Sequence, residues 1–164
     1  MKREFDPEKK LYTLAILVQD IPGVLSQVAR LFARKGYNIE SIVTGGTDRP
    51  NTARLAISIL ADELMINQIA DQCRKLIPVL AVKILDEATS IQREFSLIKV
   101  RATDRNSRDE VIQMANIFRA NIIDVGRDTL TVAIFGDRSK TRALTDLLAD
   151  FGILEIAKTG TLAI

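Results

Sequence analysis

Asp20-Ile21-Pro22-Gly23-Val24-Leu25-Ser26 marks the point at which an apolar strand stops and an amphipathic helix begins. Residues 11–18 before it are almost unbroken apolar and β-prone. After it, Val24, Leu25, Val28, Leu31 and Phe32 repeat at the spacing of one helix face. Pro22 suits a first helical turn, and Gly23 has no side chain to keep a visitor from the backbone. The free N–H groups of a new helix carry partial positive charge and favour a carboxylate. Asp20 beside them can hold an ammonium group. The two groups side by side describe an α-amino acid. The same residues also make an ordinary helix start, and the pattern by itself leaves both readings open.

Outward from this turn the helix runs over Val24–Lys35 and is closed by Gly36. Residues 38–44 read as a second strand, and Gly45-Gly46-Thr47-Asp48-Arg49-Pro50-Asn51 as a loop dense in turn residues. Ala53, Leu55, Ile57 and Ile59 alternate with Arg54, Ala56 and Ser58, the mark of a half-buried strand. Asp62 caps a second helix with Ile66, Ile69, Ala70, Cys73 and Leu76 inward; Pro78 stops it, and Val79–Leu85 is a fourth strand. The order βαββαβ is the ferredoxin-like unit.

Residues 86–92 (DEATSIQ) read as a polar linker, after which the order repeats. Residues 94–100 form a strand with Phe95, Leu97 or Ile98 as candidate core. Ser107 to Glu110 reads as a capping box before a stripe of Val111, Met114, Ala115 and Phe118. Residues 122–125 and 130–135 pair across Gly126-Arg127-Asp128. Ser139 caps a last helix with Leu144, Leu147, Leu148 and Phe151 inward, and 153–157 close the unit; residues 158–164 extend that strand or dock elsewhere. The expected class is α+β, two ferredoxin-like units in tandem over 11–85 and 93–164. Units this small, with one sheet face uncovered, favour a homodimer. Where the first unit has its Pro-Gly turn, the second has Asp104-Arg105-Asn106-Ser107, which caps its own helix and offers less to a ligand.

Composition narrows the function. With no histidine in 164 residues, Ser-His and Cys-His dyads and histidine metal sites are excluded. A net charge of +2 builds no field for nucleic acid or an anionic membrane. No apolar run spans a bilayer, the charged first ten residues lack a signal core, and the lone Cys73 forms no internal disulfide; a cytoplasmic location is expected. Other users of the fold lack their signatures here: residues 54–60 carry no aromatics for base stacking, and the first loop has neither Cys-x-x-Cys nor a phosphate-cradling arginine. Gly45-Gly46 resembles a phosphate loop only faintly, since no helix and no Lys-Ser/Thr follows it, and reads as a flexible hairpin loop or a partner contact. Cys73 sits on a core stripe. Arg54, opposite the apolar face, reads as solvated or interfacial. Asp109 and Glu110 read as favourable charges at a helix start. No catalytic set, metal site or cofactor is expected.

LVQDIPGVLSQVARLFARKGYNIES (17–41) resembles the first strand, loop and helix of an ACT domain, and more narrowly the regulatory small subunits of acetolactate synthase. GTDRPNTARLAI (46–57), REFSLIKV (93–100), RDEV (108–111), IFRANIIDV (117–125) and FGILEIAKTG (151–160) extend the likeness along the chain in the same order. The resemblance implies a non-catalytic partner of the catalytic (large) subunit, a thiamine-diphosphate enzyme, which it activates and makes sensitive to valine, leucine or isoleucine. It implies an effector held between the ACT domains of two protomers by Asp20, Ile21, Pro22, Gly23, Val24 and Leu25, with Asn38 and Ile39. Many members of the family carry asparagine where this chain has Asp20; an acid still binds the ammonium group but repels the effector's carboxylate. The rival is a free-standing tandem amino-acid sensor with no enzyme partner.

Overall fold

The computed structural model describes residues 9–86 and 88–164. They form two compact units, one running to Ile91 and including Thr161–Ile164, the other covering Gln92–Gly160. Each is an antiparallel sheet with two helices on one face.

In the first unit the elements are β1 (Lys10–Gln19), α1 (Val24–Lys35), β2 (Ser41–Gly46), β3 (Thr52–Ala61), α2 (Glu63–Arg74) and β4 (Val79–Leu85), with strand order β2-β3-β1-β4. The near-continuous apolar run of β1 suits a central strand paired on both edges. Leu14, Ile16 and Val18 point to the helices and meet Val28, Leu31 and Phe32 of α1 and Ile66, Ile69 and Cys73 of α2. Each fully buried aliphatic or aromatic side chain contributes roughly 1.5–3 kcal/mol. The opposite face is small and partly polar, with Thr13, Ala15, Ala56 and Ser58 buried. The last four residues lie with this unit. Ala163 packs on Ala15 and Leu85, Ile164 and Ile91 exchange backbone hydrogen bonds at 2.9 and 3.0 Å, and the Thr161 amide donates to Ser41 Oγ at 3.4 Å.

The second unit repeats the plan with β5 (Gln92–Arg101), α3 (Arg105–Ile117), β6 (Asn121–Val125), β7 (Thr129–Gly136), α4 (Arg138–Leu148), a 3-10 turn (Ala149–Phe151) and β8 (Ile153–Lys158). Its strand order, β6-β7-β5-β8, is that of the first. The correspondence reaches single irregularities: the first–fourth strand pairing shifts register at Leu17/Val18 in one unit and at Lys99/Val100 in the other.

The structure corrects several boundaries. The second strand begins at Ser41 and runs through Gly45 and Gly46, which pair with Arg54 and Ala53; the loop is only residues 47–51, closed by Thr47 and Thr52. The pairing partner, absent from any local pattern, holds these glycines extended. The N-caps of α3 and α4 are Asp104 and Asp137, with Ser107 as the third helical residue of α3 and Ser139 bonded to Asp137. Asp109 and Glu110 therefore stand in the second turn, where Asp109 faces Arg105 at 3.8 Å. In β5 the inward set is Glu94, Ser96, Ile98 and Val100, leaving Phe95 exposed and Leu97 half-buried. Of the three core candidates in β5, Ile98 is the one buried; Thr141 is fully buried and its hydroxyl donates to Glu94, satisfying that inward carboxylate, while Leu147, expected inward, is 43% exposed.

Candidate functional site: the first strand-to-helix turn

The turn between β1 and α1 is held from both sides by backbone. The Gln19 amide donates to the Pro78 carbonyl at 2.8 Å and the Asp20 amide to that of Asn51 at 2.9 Å. The chain then tightens, with Ile21 N bonded to Gln19 O at 3.0 Å and Val24 N to Ile21 O at 3.3 Å. Gly23 is the N-cap of α1 at φ 85°, in the left-handed region where a side chain is disfavoured. A Cβ built there would meet nothing within 4 Å, so the conformation, not crowding, calls for glycine, and the space beside it is open. No side chain caps α1, whereas α2, α3 and α4 are capped by Asp62, Asp104 and Asp137. The Asp20 carboxylate meets no cation among the described residues. An uncapped helix start beside an acid offers partners for a zwitterion's two ends.

The second unit has the same frame, filled by its own side chains. Arg101 N donates to Gly152 O at 3.0 Å and Ala102 N to Asp128 O at 2.8 Å, matching the Gln19 and Asp20 bonds. Asp104 Oδ1 accepts the Ser107 amide at 2.9 Å, and the Ser107 hydroxyl answers it. That amide first, then the hydroxyl, hold the Asp104 carboxyl below its usual range. Arg108 reaches across, donating from Nε to Ala102 O at 3.1 Å and from Nη2 to Gly126 O at 2.7 Å and to Arg127 O. Gln27 holds the corresponding fourth helical position in α1. One copy of the turn is closed by its own residues. The other is open.

Comparison with known proteins bears on what the open copy serves. The family model for the AHAS small subunit-like ACT domain matches residues 14–81, and that for the small subunit of acetolactate synthase matches 93–164. The acetolactate synthase small subunit of Mycobacterium bovis is 45% identical over 155 residues, spanning 94% of this chain and 92% of its own. The chain belongs to the acetolactate synthase small-subunit family. A probable member from Methanothermobacter thermautotrophicus is 42% identical over 160 residues, covering 98% of this chain and 94% of its own. The crystal structure of the small subunit from Thermotoga maritima superposes with a TM-score of 0.85 at 39% identity, across 94% of this chain and 96% of that one. The first unit is thus the ACT domain of a small-subunit fold with two ferredoxin-like units in tandem.

Within this small-subunit fold the residues singled out from sequence separate into two groups. Asp20, Ile21, Pro22, Gly23 and Leu25 are exposed along the turn, while Val24 is buried in the first core. Ile21 and Leu25 are 43% and 41% exposed, apolar surface that an isopropyl group can cover. Asn38 and Ile39 lie between α1 and β2. Ile39 packs on the same core as Val24, and Asn38 Nδ2 donates to Glu40 Oε1 at 3.0 Å. The sequence reading missed the carbonyls of Asn51 and Pro78 that fix the turn, because backbone acceptors leave no mark in residue type. Among the described residues no group of His, Cys, Asp and Glu suits a metal ion, and no helix is long and apolar enough to cross a membrane.

Proposed function

We propose that the chain is the non-catalytic regulatory subunit of an acetolactate synthase. It binds the catalytic subunit, raises its activity and confers feedback control by valine or another branched-chain amino acid. In this reading residues 11–85 are the effector-binding domain, 86–92 the linker up to the first residue of β5, and 93–164 the C-terminal domain, whose last four residues return to the first unit. The protein works as a cytoplasmic homodimer, with the effector between two first-unit turns. The observation that carries the site is the contrast between the repeats: the same backbone frame is sealed by Asp104 and Arg108 in one and left open at Gly23 in the other. The effector's carboxylate meets the uncapped amides of α1, its ammonium meets Asp20, and its side chain packs on Ile21, Leu25 or Ile39. It controls the enzyme only by binding two arrangements of the subunit unequally.

The test is calorimetric titration of the protein with valine, leucine, isoleucine and alanine, beside reconstitution with the catalytic subunit. Saturable binding of a branched-chain amino acid, lost in Gly23→Asp, together with activation on reconstitution, is the expected result. Activation with an unchanged response in Gly23→Asp would remove the turn from the effector site. Amino-acid binding without assembly would favour a free-standing sensor.

A further inference from the structure

The outer face of the first sheet holds a charge that no described residue answers. Arg54 lies within β3, opposite Leu17 of β1 and Gly45 of β2. Its Nη2 donates to the Ala163 carbonyl at 3.0 Å, while its buried Nε has no acceptor among the described residues. Among the described residues no carboxylate pairs with it. A guanidinium is always charged, and the neutral Ala163 carbonyl supplies no counter-charge, so the accessible part of the group is where an acid can pair. Shallow cavities open on both sides, one of about 120 Å³ against Gly45, Gly46 and Leu162, the other of about 240 Å³ against Ala15, Leu17 and Lys83. Among the described residues no acid lines either.

The shape and the charge select the occupant. Small-molecule sites bury roughly 70–90% of their ligand, and two open hollows on a sheet supply no such enclosure. A second copy of this face would set Arg54 and Lys83 against like charges. A carboxylate side chain on a different protein fits, entering beside Arg54 while its apolar neighbours cover Leu17 and Ala81. We propose that the outer face of the first sheet docks the catalytic subunit, and that an Asp or Glu of that subunit pairs with Arg54 while Lys83 attracts its approach. This rests on the reading of the chain as a regulatory subunit, and it adds where the partner binds and by what chemistry.

The experiment titrates the full chain, Arg54→Gln and Lys83→Glu against the purified catalytic subunit at low and high salt. Thermal melts establish that each variant folds, and valine titration of each reads the separate turn. Arg54→Gln should weaken assembly at least about thirtyfold and flatten its salt dependence, and Lys83→Glu should weaken it about tenfold, chiefly through slower association; neither changes the valine response. Assembly of Arg54→Gln within twofold of the parent overturns the proposal. So does a loss confined to Arg54→Gln, which assigns the effect to the broken Ala163 contact. Unchanged assembly with loss of isobutyrate binding by the isolated variant gives the guanidinium to a free carboxylate, and overturns it too. Failure of the parent chain itself to assemble is a different result: it rejects the regulatory-subunit reading.

Discussion

Gly23 separates two effects that a single substitution would merge. Its φ of 85° costs a residue such as alanine about 1–2 kcal/mol and aspartate less, yet a Cβ there touches nothing within 4 Å. Gly23→Asp should therefore lose no more stability than Gly23→Ala in denaturant melts, while only the aspartate, with its added charge, should abolish amino-acid binding in calorimetry. Equal loss of binding in both would mean that backbone strain, not crowding of the site, decides the outcome. The capping carboxyls make a second residue-scale prediction. Asp104 is held below its usual range by the Ser107 amide and hydroxyl, and Asp137 by the Ser139 hydroxyl and then the Lys140 amide. A depressed carboxyl stabilises the fold above its unfolded pKa of about 4 and loses that contribution as pH falls through the folded value. Asp104→Asn with Asp137→Asn should narrow the gap between denaturant midpoints at pH 7 and pH 3. An unchanged gap would show that other groups set the acid limit. At this scale the turn itself was legible, because Pro-Gly after a strand states its geometry in residue type. The capping position was not, since Asp104 and Ser107 both suit a cap and only the first helical hydrogen bond chooses between them.

Among the elements, α3 and α1 begin alike and are closed differently. Arg108 donates to three carbonyls that would otherwise need water, two of them in the β6–β7 turn. Arg108→Ala should cost about 1–3 kcal/mol and speed exchange of the Ala102 and Gly126 amides, which bond to Asp128 O and Thr129 O. Unaltered exchange at both amides would mean the arginine decorates the turn without holding it. Period-2 alternation located β3 and its inward face correctly, because Ala53 to Ile59 has a real polar–apolar rhythm. In β5 the sequence left Phe95, Leu97 or Ile98 as core candidates, and only Ile98 is buried, sharing its inward face with Glu94 and Ser96. The cause lies 47 residues away in the Thr141 hydroxyl that satisfies Glu94, and no local window contains it. β2 shows the same limit, since its glycines are strand only because Arg54 and Ala53 lie opposite.

At the scale of the whole molecule, each unit has its own core, and the first contains the chain's one cysteine. Removing side-chain volume from a fully buried position such as Ile57 should cost about 2–5 kcal/mol. The tandem arrangement was legible from the repeated order of elements. The return of residues 161–164 to the first unit was not, for four residues carry too little pattern to name their partner. Cys73 is wholly buried on α2, and burial pushes its thiol up to about 11. Reaction with a thiol reagent at neutral pH then requires the first unit to open, so the chain carries a built-in clock for that half alone, with no label to introduce. Ile57→Ala should make the clock run faster. A saturating effector, if it binds the folded turn, should slow it by the factor 1 + [L]/Kd. A stopwatch and a chromogenic disulfide can thus report the affinity of an unlabelled ligand that carries no chromophore.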